Sequence, residues 1–550
     1  MMRLAGCGLA LALLTAISAH YLLSPSKHIA VLIALECLLV LPPTLFALRH
    51  DQAGFKGVPA PPPVAVFAAF LVVTLPFSWI DSRSLLIPDE AAYQFQARTF
   101  SLGHLTAAAP PGAPAQIEDT PLPLYFEHHI IDRGRWFTKY PPGWPLLLAV
   151  AIRLGAGWLA NPLLGLALLL LVALVATHLY GRTTASLAVL FGFLSPFFIA
   201  NCVGRMSHPA CGVLLAAACF FCFRGLHTRR LAAFVWMYLL IVLALQVRPL
   251  TAAVVGGTVA TGALWYLRRD RIFARVLSVG VLFAALGVAS LLAYNQLYTG
   301  SYRLSPYVLF NRNPLTRSGN MSDIDLNPFH MLSHLVHATR WAMQDTVYYA
   351  FPFVFLLAAY AVWREKAHPR EVRILAVLFP ALVLAHVIQP AVSAEFAGER
   401  YYFEAYFAVL ILGARGLALL AAEHSVSRRT LAVMVFLFAV CEVGQQVLTA
   451  RDFWTRTGPY RAVLAAAERL GTKRYTVFLR DAAPRFEAKH FNLNRPDWQN
   501  GSLFYLVDPG PSGRNVWACR VGRADWVVLT YDPAQLSGVA EEFGKADVCP

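Results

Sequence analysis

Apolar runs of about 17–22 residues recur along this chain, each long enough to cross a 30 Å hydrocarbon core as a helix. They fall near 3–23, 28–48, 62–80, 162–180, 184–201, 208–224, 231–247, 250–267, 274–294, 347–363, 372–392, 401–421 and 429–448. Only 14% of the residues are charged, against about 25% in soluble domains. The expected class is therefore an all-α polytopic membrane protein. The formal net charge of +15 does not point to nucleic acid, because the basic residues gather in the short loops that cytoplasmic positive charge favours.

One further run, 142–159, is decided by charge. If it does not cross, the loops with Arg49 and Lys56, Arg182, Arg224 with Arg229 and Arg230, Arg268 with Arg269 and Arg271, Arg364 with Lys366, and Arg428 with Arg429 all share one side. If it crosses, that asymmetry is destroyed. Arg153 within the run would also cost roughly 2.5–3.5 kcal/mol at a bilayer centre. The expectation is thirteen spans, N-terminus inside, C-terminus outside, with 142–159 along the outer surface. Met1 to Leu23 has no small-x-small cleavage site and reads as a retained helix.

This topology puts three polar regions on the outer face: 81–161, 295–346 and 449–550. The Ala-, Pro- and Gly-rich segment 107–124 reads as a mobile loop. In the last hundred residues, Tyr475–Leu479, Leu503–Val507 and Trp526–Tyr531 have strand character and 459–470 has helical spacing. The expected organisation is an additional N-terminal pair of spans (1–61), a membrane catalytic domain (62–448) and a small α/β or α+β extracytoplasmic domain (449–550). Of nine cysteines, Cys219 and Cys222 read as apolar filler in a span. Cys519 and Cys549 are candidates for a disulfide if the C-terminal region faces an oxidising compartment.

The residues able to carry chemistry crowd the outer edge. Asp89 and Glu90 follow an apolar span and open a segment with helical spacing, read as an amphipathic surface helix. A structural role as N-cap and dipole partner competes there with a role as proton acceptor. Lys139 precedes Tyr140-Pro141-Pro142; Arg205 lies in Gly204-Arg205-Met206-Ser207-His208-Pro209; Arg248 ends one span and Arg400, before Tyr401, opens another. Four cations from distant parts of the chain suit a lipid-linked phosphate. Taken singly, each also suits an interfacial anchor. Tyr294 and Asn295 close a span on the same face and suit a sugar or an aromatic belt. His128 and His129 have no metal-ligand spacing and read as a solvated loop. No phosphate-binding Gly-rich loop and no serine elbow is present.

On these residues the chain resembles the GT-C glycosyltransferases, around the protein O-mannosyltransferases and the aminoarabinose transferases that modify lipid A. In that family the first large outer loop opens with Asp-Glu and later carries a Lys-Pro-Pro-Leu type segment. Here those match Asp89-Glu90 and Lys139-Tyr140-Pro141-Pro142-Gly143, with Tyr140 inserted and Gly143 in place of Leu. The resemblance covers residues 62–550 loosely. It extends to Arg205 with His208-Pro209, Arg248, Arg400-Tyr401, and the stretches around Asn494-Arg495-Pro496-Asp497 and Ala524-Asp525-Trp526.

The resemblance implies a polyprenyl-phosphate-linked sugar as donor and a hydroxyl acceptor on a glycan, lipid or protein. Transfer would occur with inversion on the outer side of the cell (inner) membrane. It implies Asp89 as base and Glu90 as a second catalytic carboxylate. Lys139, Tyr140, Arg205, His208, Arg248, Tyr294, Asn295, Arg400 and Tyr401 would bind the donor's phosphate and sugar. No cofactor is required by it, and the family is mixed on divalent cations. The rival class is a transporter or lipid-linked-sugar flippase, for which charges deep in the spans and repeat symmetry would be expected; a non-catalytic assembly subunit is the third reading.

Overall fold

The computed structural model describes residues 61–546, apart from 85–86, 317–328, 330–331, 334, 337–349, 351, 389–399, 424–427 and 483–485. The expected spans 3–23 and 28–48, and Cys549, lie outside the described residues.

Leu-, Ala- and Val-rich runs form the helices, and proline opens many of them, where its missing N–H costs nothing. The helices are α1 (Pro63–Asp81), α2 (Pro88–Ser101), α3 (Gly143–Arg153), α4 (Ala160–Tyr180), α5 (Arg182–Leu194), α6 (Pro196–Asn201), α7 (His208–Thr228) and α8 (Leu231–Leu245). There follow α9 (Pro249–Leu267, with a π-turn over Ala252–Gly256), α10 (Phe273–Thr299), α11 (Pro306–Phe310), α12 (Pro352–Arg364), α13 (Pro369–Ile388), α14 (Phe403–Glu423) and α15 (Arg428–Arg469). Gly181 and Gly300 end α4 and α10 at positive φ, and Arg229 ends α7 in the left-handed region.

Six helices among the described residues are long and apolar enough to cross a membrane: Pro63–Asp81, Gly157–Tyr180, His208–Thr228, Pro249–Leu267, Phe273–Thr299 and Arg400–Glu423. The expected span 184–201 is broken at Ser195. That residue is extended (ψ 113°), and its hydroxyl accepts the Phe198 N–H at 3.2 Å to cap α6. The segment 142–159 becomes the 11-residue α3, roughly 16 Å long and too short to cross. Its Leu146, Leu147, Val150 and Leu154 are exposed, while Trp144 and Leu148 are buried.

Two layers of polar chain cover the end of the bundle at which α2 begins. The first is a three-stranded antiparallel sheet, order β1-β3-β2, made by β1 (Ala107–Ala108), β2 (His129–Asp132) and β3 (Arg135–Thr138). The segment 107–124, expected as a mobile loop, carries β1 and two 3-10 turns and buries Ile117 and Leu124.

The second layer is a four-stranded sheet beyond α15, with strands β4 (Tyr475–Arg480), β5 (Leu503–Val507), β6 (Asp525–Tyr531) and β7 (Val539–Lys545) in the order β5-β4-β6-β7. A helix, α16 (Pro511–Arg520), connects β5 to β6. β4 is parallel to both neighbours and β7 is antiparallel to β6. One apolar cluster joins the layers, running from Ala91 and Phe95 of α2 through Trp136 to Val477, Phe504 and Val527. Glu127 adds an ion pair to His490 at 2.7 Å. Cys519 is disulfide-bonded, and Cys219 and Cys222 are buried free thiols inside α7.

α2 is therefore not a surface helix. Pro88 through Tyr93, Phe95, Gln96, Ala97 and Thr99 are all buried, because bundle and sheets cover both of its faces.

Candidate active site

The geometry centres on the first turn of α2. Ile87, extended, is the N-cap of that helix, so Asp89 is not its cap. Its carboxylate instead gathers residues distant in sequence. Arg400 Nη2 lies 3.2 Å from Oδ2, and the Tyr140 hydroxyl donates a short hydrogen bond to Oδ1. His128 Nε2 stands 3.6 Å from Oδ2, too long for a hydrogen bond. Burial pushes the Asp89 carboxyl up, but Arg400, His128 and Lys139 more than offset it. Its pKa sits well below the usual carboxylate range. Burial and the Lys139 charge hold His128 below its ordinary value. His128 was read from sequence as a solvated loop residue; it is instead buried against the carboxylate, its ring also meeting Tyr140 and Phe310.

Glu90 faces another way. Its Oε1 accepts the Arg205 N–H at 2.8 Å, and a Cβ on Gly204 would sit 2.3 Å from that oxygen. Burial raises the Glu90 pKa, against the Arg205 hydrogen bond and charge that lower it. Glu90 Oε2 and Asp81 Oδ2 are buried with no hydrogen-bond partner among the described residues. Both residues line a cavity of about 50 Å³ that Arg400 also borders.

The four cations reach this region, each by its own route. Arg400 is on Asp89. Arg205 donates a short hydrogen bond to Gln94 Oε1 of α2. Arg248 Nε pairs with Glu404 Oε1 at 2.8 Å, and its Nη1 donates to Ser207 at 3.2 Å. Glu404 also takes His208 Nδ1 at 3.0 Å and is fully buried in α14. Tyr401 links the two groups, since the guanidinium carbons of Arg248 and Arg400 lie 5.2 and 5.5 Å from its ring centre. Lys139 has no carboxylate within 4.0 Å among the described residues. Its ammonium sits between the rings of Tyr140, Tyr307 and Phe310 at 4.9–5.4 Å. Burial lowers its pKa to about 8, although Asp89 and Glu127 oppose the shift.

The Lys139–Tyr140 backbone is fixed from two sides. The Tyr294 hydroxyl donates to the Tyr140 carbonyl at 2.8 Å. Three residues on, the Gly143 N–H donates to the Gln246 carbonyl at 2.8 Å. A Cβ at Gly143 would lie 2.6 Å from that oxygen, so no larger residue fits this approach, which brings the segment beside Arg248. Asn295 is not brought in; its amide donates to the Tyr302 carbonyl at 3.0 Å and closes the end of α10.

The site thus unites Asp89, Tyr140, Arg400, Tyr401, Arg248 and His208 in one polar network, with Glu90 and Arg205 beside it and Lys139 in its aromatic cage. The sequence reading assigns no site role to Glu404, Asp81, Gln94 or Tyr307. A glutamate inside an otherwise apolar run was the available signal for Glu404. No set of three His, Cys or carboxylate ligands converges here among the described residues; the one such set lies at the other end of the bundle.

No protein-family model matches the chain. No curated protein matches it either. Solved structures do match it. ArnT from Cupriavidus metallidurans bound to undecaprenyl phosphate aligns over 86% of this chain and 94% of its own, at 13% identity and TM-score 0.52. The same protein in the apo state gives the same coverage and identity with TM-score 0.53. Shared coverage on this scale establishes a fold in common with ArnT, and at 13% identity it establishes no more than the fold.

Proposed function

We propose that this protein is a membrane glycosyltransferase that moves a sugar from a polyprenyl-phosphate donor to a hydroxyl acceptor. The reaction takes place at the Asp89 end of the bundle, on the extracytoplasmic side of the cell membrane. The observation that carries the reading is the buried Asp89–Arg400 pair, 3.2 Å apart, under a polar lid. The fold around it is that of a protein crystallised with undecaprenyl phosphate.

The chemistry needs a base, cations and no acid. Asp89 takes the proton of the acceptor hydroxyl, whose oxygen forms the new bond to the anomeric carbon from the face opposite the phosphate. The anomeric carbon–oxygen bond to phosphate breaks, and the electron pair leaves with a polyprenyl phosphate monoester. Cations neutralise that leaving group, so it departs without being protonated.

A carboxylate held well below its usual pKa is a poor base while Arg400 sits on it. A donor phosphate offers Arg400 a second anion with matching bidentate geometry. Drawing Arg400 toward the phosphate loosens the pair and raises the basicity of Asp89 only when donor is bound. Arg248 and Lys139 supply further positive charge near Tyr401 and Tyr140. Glu90, through the Arg205 N–H, fixes the turn that presents the Arg205 side chain and lends negative charge near the developing oxocarbenium ion.

The proposal is tested by mass spectrometry of envelope glycans and glycolipids from cells with and without the gene, followed by in vitro transfer. Loss of one sugar substituent, restored by purified protein and a polyprenyl-phosphate sugar, is the expected result. Restoration of lipid-linked sugar transport without any new glycosidic bond would instead identify a flippase.

A further inference from the structure

The end of the bundle away from Asp89 carries a second cluster of ligating side chains. His208 opens α7 beside Glu404, and His227 stands 19 residues later on the same helix, roughly 28 Å along its axis. There His227 Nε2 lies 3.1 Å from Glu371 Oε1 in the first turn of α13. The other nitrogen of that ring, Nδ1, is 2.9 Å from His178 Nε2 at the end of α4. His368, just before α13, brings its ring to 6.4 Å from that of His227. One ligand atom each from His227, His368 and Glu371 lies within 4.8 Å of the others.

Two features separate this cluster from an ordinary surface ion pair. Glu371 is only 4% exposed, and a buried carboxylate needs a compensating charge. Arg224, one turn before His227 on α7, is the nearby fixed cation on that helix, but no ion pair joins it to Glu371 among the described residues. The geometry also suits a metal. Ligands at 2.0–2.2 Å in a tetrahedron stand roughly 3.3 Å from one another, close to the 3.1 Å found between His227 and Glu371. His178 occupies the place of the outer-shell partner that selects which nitrogen of a ligating histidine faces the ion.

We propose that His227, His368 and Glu371 bind a divalent ion of the zinc class, with His178 as a positioning residue for His227. Two imidazoles and one carboxylate suit zinc, and a fourth position is left for water or an exchangeable ligand. The ion ties the end of α7 to the start of α13 and, through His178, to the end of α4.

The test uses full-length protein in detergent, carrying a tag without histidine and stripped with chelator. Titration with Zn²⁺ and Co²⁺ should show one tight equivalent, visible tetrahedral Co²⁺ absorption bands and a rise in melting temperature. Glu371→Gln and His227→Ala should abolish all three signals. His368→Ala, at a partly exposed position before the helix, keeps the fold testable if either of those variants misfolds; it too should lose the bands. His178→Ala should weaken binding about 10–100-fold without abolishing it. Absence of a tight equivalent in wild type, or binding that is equal in wild type and His368→Ala, would overturn the proposal and leave a hydrogen-bonded ion pair.

Discussion

Arg400 approaches Asp89 from 311 residues along the chain and places Nη2 3.2 Å from Oδ2, with both side chains buried. The contact joins the first turn of α2 to the start of α14. A guanidinium so placed can serve either the carboxylate or an incoming phosphate, and the proposed reaction depends on that exchange.

Replacing Arg400 by Lys should therefore damage catalysis although charge is kept, because an ammonium cannot hold two phosphate oxygens at once. We expect donor KM to rise and kcat to fall at least tenfold, with acceptor KM changed little. Steady-state kinetics with varied donor and varied acceptor check this. Equal effects on both substrates would count against a phosphate role.

Lys139 gives a pH dependence with a defined sign. Its pKa is lowered to about 8, so the ammonium is present below that pH and is lost above it. Affinity for polyprenyl phosphate should fall as pH rises through about 8, and Lys139→Arg should hold it constant to higher pH. The folded chain also releases this proton before the unfolded chain does, whose ordinary value is 10.5. This group therefore adds stability as pH climbs from about 8 toward 10.5. A flat binding profile between pH 6.5 and 9.5 would remove Lys139 from the phosphate site.

Gly204→Ala places a methyl group 2.3 Å from Glu90 Oε1. The carboxylate must turn away and release the Arg205 N–H, costing about 1–3 kcal/mol for the broken buried bond. A lower melting temperature and reduced transfer are expected, with Gly204→Ala and Glu90→Gln non-additive in a double-mutant cycle. Full additivity would mean that the two do not act through one contact.

Topology is open to direct labelling. Ala115 and Gln535 are exposed in the two covering layers, and Thr228 is exposed at the far end of α7. Cysteines at 115 and 535 should react with an impermeant reagent in intact cells, and one at 228 should not. The reverse pattern would invert the proposed orientation.

How much of this was legible in sequence depends on range. Asp89 could be read because it stands at the end of an apolar run, and the cations because they stand where charge is disfavoured. Helix lengths came less cleanly, since an apolar run does not reveal that Ser195 will cap a new helix. Glu404 could not be assigned a partner, because His208 lies 196 residues away and only the packed bundle joins them. His128 looked solvated for the same reason, as its burial is created by Tyr140 and Phe310. β4, β5 and β6 are apolar and were visible. β7 was not, because it is an edge strand whose Glu541 and Glu542 break the apolar pattern.

The central claim is that Asp89 is the base, and the most direct measurement compares transfer by wild type and Asp89→Asn. Asparagine keeps the size and can still accept from Tyr140, so expression and melting temperature should change modestly. Transfer from a polyprenyl-phosphate sugar should fall by about 10²–10⁴-fold, while binding of the lipid phosphate persists. Transfer by Asp89→Asn within a few-fold of wild type would contradict the account.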